Sequence, residues 1–80
     1  MGNRNMLHIS HLPKLRLWLQ QQGWELQPLS NNEFEVLRAR RDKRTVVIYK
    51  RMNAKEHLTY MDKDRRLIRR FFEYMRGLSE

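Results

Sequence analysis

The stretch that decides the fold is FEVLRARRDKRTVVIYKR, residues 34–51. Its two arms, Phe34 to Arg40 and Thr45 to Arg51, are rich in β-branched and aromatic residues, which favour strands. The residues between the arms, Arg41-Asp42-Lys43-Arg44, are all polar and suit a turn. The pattern therefore predicts a β-hairpin with a basic tip.

A helix and a short strand are predicted before the hairpin. The helix is marked by an apolar stripe at three- and four-residue spacing, Leu12, Leu15, Trp18 and Leu19. We expect Ser10 to cap this helix, Pro13 to lie in its first turn and Gly23 to end it in a left-handed conformation. Trp24 to Leu29 alternates like a half-buried strand, and Pro28 indicates an edge.

After the hairpin, His57 to Met61 is either a further strand or the end of a connection. The last helix is predicted with Asp62 as its cap, Asp64 in its first turn and Gly77 just past its end. A helical wheel places its apolar residues on one arc, namely Leu67, Ile68, Phe71, Tyr74, Met75 and Leu78. The opposite arc carries arginines, namely Arg65, Arg66, Arg69, Arg70 and Arg76.

The predicted order is thus helix, three or four antiparallel strands, helix. This order indicates an α+β two-layer domain (α-β-β-β-α) with both helices on one face of an antiparallel sheet. The chain has 80 residues, enough for one domain, which we place at residues 10–80 after a flexible N-terminal tail at residues 1–9. The absence of an 18-residue apolar run and of a signal peptide predicts a cytoplasmic protein without a membrane partner.

The net charge of +8 is confined to one part of the chain. Residues 1–37 are neutral overall, whereas residues 38–80 carry fourteen basic and six acidic side chains. Arginines outnumber lysines twelve to five, which favours bidentate contact with phosphate or carboxylate groups. We therefore expect one positive face whose partner is nucleic acid, DNA or RNA, or an acidic protein.

Motifs for catalysis and for cofactors are not found in the sequence. The chain has no cysteine, and its glycines and serines form neither a phosphate-binding loop nor a nucleophile motif. Glu56 and His57 with Asp62 and Asp64 could hold a cation or act as acid and base. A strand edge and a helix N-terminus explain these residues more simply. We predict a protein that is not an enzyme, with no catalytic, metal or cofactor site.

The binding face is predicted on the hairpin and the last helix. Its basic residues are Arg38, Arg40, Arg41, Lys43, Arg44, Lys50, Arg51, Lys63, Arg65, Arg66, Arg69, Arg70 and Arg76. Tyr49 and Tyr60 are the two aromatic residues predicted to be exposed for base stacking. The apolar face of the first helix, with Met52 and Met61, could instead serve a homodimer or another partner.

Three resemblances bear on function. The order of elements resembles that of double-stranded-RNA-binding domains, in which basic residues at the start of the last helix contact phosphates; Lys63, Arg65 and Arg66 occupy that place here. The first helix running into Gly23-Trp24-Glu25-Leu26, followed by a basic hairpin, resembles the opening of HicA-type messenger-RNA interferases. That family has its catalytic histidine where this chain has Asn31-Asn32-Glu33-Phe34. The resemblance implies a ribonuclease relative without the usual histidine.

The segments Glu35-Val36-Leu37-Arg38 and Val47-Ile48-Tyr49-Lys50, with a helix opening at an aspartate, resemble small uncharacterised bacteriophage and prophage proteins. This resemblance implies a role in host takeover or as an inhibitor of host defence. The leading hypothesis is a small module that binds nucleic-acid phosphates. The alternatives are a phage-type adaptor or inhibitor docking on an acidic host protein, and a degenerate HicA-like ribonuclease.

Overall fold

A four-stranded antiparallel sheet and two helices make up the described chain in the computed structural model, which describes residues 6–30 and 32–78. The elements in chain order are α1 (Leu12–Gln21), β1 (Glu25–Leu26), β2 (Glu35–Arg41), β3 (Arg44–Lys50), β4 (Leu58–Thr59) and α2 (Arg65–Leu78). The strands lie in the order β1-β2-β3-β4, each antiparallel to its neighbour. The predicted α+β class is confirmed, and the run after the hairpin contributes a short fourth strand.

The hairpin is tighter than the sequence pattern predicts. β2 and β3 pair as far as Arg41 opposite Arg44, so the turn consists only of Asp42 and Lys43. Asp42 has a φ of 56°, in the left-handed region that aspartate tolerates better than most residues. Arg41 and Arg44 are therefore strand residues at a defined register, and Lys43 alone supplies a basic side chain from the turn itself.

Both helices pack on the same face of the sheet. Leu37 and Ile48 lie opposite each other on this face, as do Ala39 and Val46. These strand residues share one buried cluster with the apolar residues of the helices, namely Leu15, Trp18, Leu19, Leu67, Ile68 and Phe71. Leu78, predicted to complete the apolar arc of α2, is instead 58% exposed, because it lies beyond Met75, the last residue of the helix that packs on the core.

The end of α1 follows the predicted stop signal. Gly23 has a φ of +91°, which a side chain would disfavour. The Trp24 N–H donates to the Leu19 carbonyl at 2.9 Å and the Gly23 N–H to the Gln20 carbonyl at 3.1 Å, the two bonds of a Schellman motif. This reversal carries Trp24 directly into the core, where 5% of it remains exposed.

β1 is much shorter than the predicted strand from Trp24 to Leu29. Only Glu25 and Leu26 pair with β2, and the Gln27 N–H adds one further bond to the Arg38 carbonyl. Pro28 has no N–H with which to continue the ladder, so the strand ends there as an edge. The polar run Ser30-Asn31-Asn32 that follows suits a turn, but residue 31 lies outside the described residues.

The start of α1 corrects the predicted helix cap. Ser10 does not cap the helix, because it lies within a 3₁₀ turn, Ile9–His11, that precedes α1. The cap of this 3₁₀ turn is His8: its Nδ1 accepts from the Ser10 N–H at 3.1 Å, while Nδ1 of His11 accepts from the His8 N–H at 3.0 Å. This pair is a capping box made of two histidines, a role that Ser, Thr and Glu usually fill. The α-helix itself follows His11 without a side-chain cap of its own.

Three residues assigned to the N-terminal tail belong to the folded domain. Leu7 is buried in the core, and its carbonyl accepts from the Leu58 N–H at 2.8 Å. His8 forms a β-bridge with His57, and the Ile9 N–H donates to the Glu56 carbonyl at 2.8 Å. Met6 and Leu7, the two apolar residues before His8, are too few to show a periodic pattern. The sequence therefore did not predict that this segment packs on the core. Residues 1–5 lie outside the described residues.

Acidification from pH 7.5 to 5.5 is expected to lower the free energy of unfolding by about 1 kcal/mol, the usual contribution of a helix cap. A protonated imidazole carries hydrogen on both nitrogens, so Nδ1 no longer accepts. Burial, helped by His8 and Lys14, lowers the pKa of His11 from 6.5. As the pH falls, His11 is therefore protonated in the unfolded chain before it is protonated in the folded chain. The free energy of unfolding then decreases as the pH falls below 6.5. Urea unfolding at a series of pH values measures the decrease.

A matched variant isolates the capping box from other titrating groups. His8→Ser combined with His11→Gln keeps two acceptors at the same positions but removes both imidazoles. His57, whose ring centre lies 5.4 Å from that of His8, and its neighbour Glu56 remain in the variant. We expect a shallower pH dependence in the variant. An unchanged pH dependence would show that the capping histidines do not cause it.

The start and end of α2 also differ from prediction. Asp62 does not cap the α-helix, because it begins a 3₁₀ turn, Asp62–Asp64, that precedes α2 and whose own N-cap is Met61. Asp64 is fully buried and paired with a distant arginine rather than with the helix N-terminus. Gly77 does not terminate the helix, which continues through Leu78. None of the helices in the described residues has the length and hydropathy needed to cross a membrane.

Candidate functional site

Arg44 joins the hairpin tip to the start of α2. Its Nη2 donates to Oδ1 of Asp64 at 3.1 Å and to the carbonyl of Lys63 at 3.0 Å. The Asp64 side chain is fully buried, whereas that of Arg44 is 47% exposed. The guanidinium therefore anchors one edge inside the protein and presents the other to solvent, which holds the hairpin against the second helix.

Trp24 also holds the hairpin tip in place. The guanidinium carbons of Arg41 and Arg44 lie 5.7 and 5.8 Å from the centre of the Trp24 ring, within the range of cation–π attraction. Arg41 also donates from Nη1 to the carbonyl of Gln22 at 3.0 Å, just past the end of α1. Both arginines occupy strand positions in phase with the core-facing residues, so their side chains fold toward the helices.

Two shallow depressions meet at Arg44. The first, with a volume of about 560 Å³, is lined by Arg44, Asp62, Lys63, Arg65 and Arg66. The second, of about 360 Å³, is lined by Trp24, Arg41, Asp42, Lys43, Arg44, Leu67 and Arg70. Together they form a surface that we name the basic cleft and define by its basic residues, Arg41, Lys43, Arg44, Lys63, Arg65, Arg66 and Arg70.

Most charges of the basic cleft are not neutralised. Arg44 is paired with Asp64, and Arg65 lies 3.6 Å from Asp62 with both side chains largely exposed. In the described part of the chain the other five form no ion pair, namely Arg41, Lys43, Lys63, Arg66 and Arg70. Asp42, which also lines the cleft, offsets only part of this charge, so the surface keeps a positive potential that attracts anions.

Arg38, a predicted binding residue, instead forms an ion pair within the protein. Its Nε and Nη2 donate to the Glu35 carboxylate at 2.8 and 3.2 Å, and Ser30 donates to the same carboxylate from Oγ at 2.6 Å and from its N–H at 3.3 Å. These hydrogen bonds, from Arg38 first and then Ser30, lower the pKa of Glu35 to about 2. The buried Glu35 thus stays charged at neutral pH and compensates Arg38.

The remaining predicted basic residues do not line the cleft. Lys50 and Arg51 lie at the opposite end of β3, about 20 Å from Arg44 at 3.3 Å per residue. Arg76 lies in the last turn of α2. Arg40 is exposed beside the turn, where its Nε donates to the carbonyl of Asp42 at 3.2 Å, and Arg69 is exposed on α2. The basic side chains predicted to share one positive face therefore lie in separate regions of the structure.

The two predicted stacking residues are not exposed. Tyr49 is half-buried within the sheet, in register with Glu35 on one side and Thr59 on the other. Tyr60 packs against the core, and its burial raises the pKa of its hydroxyl. Neither tyrosine lines the basic cleft. The aromatic residue that does line it is Trp24, which the apolar pattern assigns only to packing.

The histidines form a separate group at the other end of the molecule. The ring centres of His8 and His11 are 6.3 Å apart, and His57 lies against His8. Among the described residues, no three His, Asp or Glu side chains are placed so that they could bind a metal ion. The cleft at Arg44, rather than this group, concentrates unpaired charge.

Comparison of the chain with protein-family models, with curated proteins and with solved structures finds no match. Function must therefore be inferred from the chemistry of the basic cleft. Its features are a concave shape, five cations with no ion pair in the described part of the chain, and two arginines held in place by Trp24 and Asp64.

Proposed function

We propose that this chain is a small nucleic-acid-binding module that contacts backbone phosphates through the basic cleft. The observation that carries the proposal is the junction at Arg44, which unites the hairpin tip and the first turns of α2 in one basic surface. Two separate elements contribute unpaired cations to it. A hairpin tip whose basic residues served only solubility would not have to be joined to a second basic element.

The support for Arg41 and Arg44 favours phosphate as the ligand. A guanidinium presents several donors in a fixed plane and binds phosphate oxygens in pairs. Because Trp24 and Asp64 already hold these two side chains, less conformational entropy is lost when a phosphate binds. Phosphate contacts carry no base information, so the proposed binding has low sequence specificity.

Affinity for nucleic acid is expected to fall steeply with salt. Five phosphate contacts, one for each unpaired cation of the cleft, give a slope of about −4.5 in a plot of log K against log salt concentration. Affinity for a fluorescein-labelled 20-base-pair DNA duplex should then decrease by about 500-fold between 50 and 200 mM NaCl. Fluorescence anisotropy measures it. Salt-independent binding would contradict the proposal, as would the absence of binding at 50 mM to this duplex, to an RNA duplex and to single strands of either kind.

A protein partner is the second candidate function, and one observation favours it. Met61 is 55% exposed and immediately precedes Asp62, which lines the first depression. An exposed methionine beside a basic surface suits an acidic partner with an apolar spot, as an adaptor or inhibitor would need. Nuclease treatment before isolation distinguishes the two candidates, because a complex with a protein survives it and a complex with nucleic acid does not.

A further inference from the structure

We infer that the basic cleft takes double-stranded nucleic acid and contacts its paired backbone rather than unpaired bases. The inference rests on the proposed function and specifies its substrate class. DNA and RNA duplexes share the required chemistry, two rows of phosphates facing each other across a groove. Three features of the structure support it: the burial of the aromatic residues, the pairing of the two depressions and the rigidity of the hairpin tip.

The aromatic residues are not available for stacking. Proteins that bind single strands place exposed aromatic rings beside a basic groove, so that bases stack on them. Every Trp, Tyr and Phe in this chain lies in the described part, and each is buried or half-buried. Trp24 is the aromatic residue that lines the cleft, and Arg41 and Arg44 already occupy positions over its ring. A base would have to displace a guanidinium to stack there.

The two depressions offer separate places for phosphates. Lys63 and Arg66 line the first, and Lys43 and Arg70 line the second. Arg44 stands at their junction and faces both. Each of the two groups of cations beside the shared arginine can receive one row of phosphates, one row from each strand of a duplex. A single strand supplies only one row.

The hairpin tip is also short and fixed. Its turn has two residues, and the flanking Arg41 and Arg44 are tied to α1 and α2 through Gln22 and Asp64. Single-stranded nucleic acid is flexible, and it is bound by surfaces that can adapt to its conformation. A tip held from both sides instead fits a ligand that is itself rigid, as a duplex is.

The higher charge density of a duplex sets the size of the expected preference. Log K changes with log salt by about −0.9 per phosphate contact on B-DNA and by about −0.7 on a single strand. For five contacts the two slopes differ by about 1, so ligands that bind equally at about 1 M salt differ about tenfold in affinity at 0.1 M, in favour of the duplex. Base stacking would reverse the order, because it contributes only when bases are unpaired.

The test compares four labelled probes in 100 mM NaCl by fluorescence anisotropy: a 20-base-pair DNA duplex, the RNA duplex of the same sequence, and one unstructured single strand of each. At least one duplex is expected to bind about tenfold more tightly than its own single strand. The duplex that binds more tightly shows whether DNA or RNA is the ligand. Single strands that bind as tightly as both duplexes, or more tightly, would overturn this inference and leave the proposed function standing. Failure of all four probes at 50 mM NaCl would instead overturn the proposed function.

Discussion

Arg44→Met is expected to lower the free energy of unfolding by about 3 kcal/mol. The variant leaves the Asp64 carboxylate fully buried without its counter-charge, and its Oδ2 already has no hydrogen-bond partner among the described residues. Removal of one member of a buried ion pair typically costs about 3–5 kcal/mol. The half-exposed position of Arg44 places the effect at the lower end of that range. Urea unfolding measures it.

Two further variants show whether the buried charge is the cause. Asp64→Asn removes the charge itself and should cost only about 1 kcal/mol, the value of a lost hydrogen bond. Adding Asp64→Asn to Arg44→Met should recover much of the stability lost in Arg44→Met. Arg51→Met, at an exposed position with no ion pair to any described residue, is the matched control and should change stability by less than about 0.5 kcal/mol. An equally small effect of Arg44→Met would show that the pair does not support the cleft.

The parts of the fold that follow from local periodicity could be predicted from the sequence. The hairpin arms are runs rich in β-branched and aromatic residues, and their predicted ends differ from those of β2 and β3 by one residue. The apolar arc and the arginine arc of α2 could be distinguished because its apolar residues recur at helical spacing. Leu67, Ile68 and Phe71 are buried as expected. Gly23 carries its own stop signal, because few other residues adopt its conformation.

The parts that depend on which side chains pair could not be predicted. Arg38 and Arg44 look alike in a basic run, yet Glu35 neutralises the first, and Asp64, twenty residues away, anchors the second. No spacing rule distinguishes a buried aspartate from one at a helix start. The role of His8 was missed for a different reason: imidazole rarely caps helices, so Ser10 was the expected choice.

Charge reversal on α2 is expected to weaken nucleic-acid binding by about a hundredfold at 100 mM NaCl. Arg66 and Arg70 each line a different depression of the cleft and form no ion pair among the described residues. Losing two phosphate contacts alone costs about sixtyfold at this salt concentration, and the new carboxylates add repulsion. Both side chains are exposed, so Arg66→Glu/Arg70→Glu should unfold within about 0.5 kcal/mol of the unmodified protein.

The central claim is that binding depends on where the cations lie and not on the net charge of +8. The most direct test compares Arg66→Glu/Arg70→Glu with Arg51→Glu/Lys55→Glu, measured by anisotropy on the same 20-base-pair duplex. Both variants change the net charge equally, but Arg51 and Lys55 lie at the other end of the sheet, beyond the Debye length from the cleft. We predict a loss of about a hundredfold for the first variant and of no more than about threefold for the second. Equal losses in the two variants would contradict the assignment of the basic cleft.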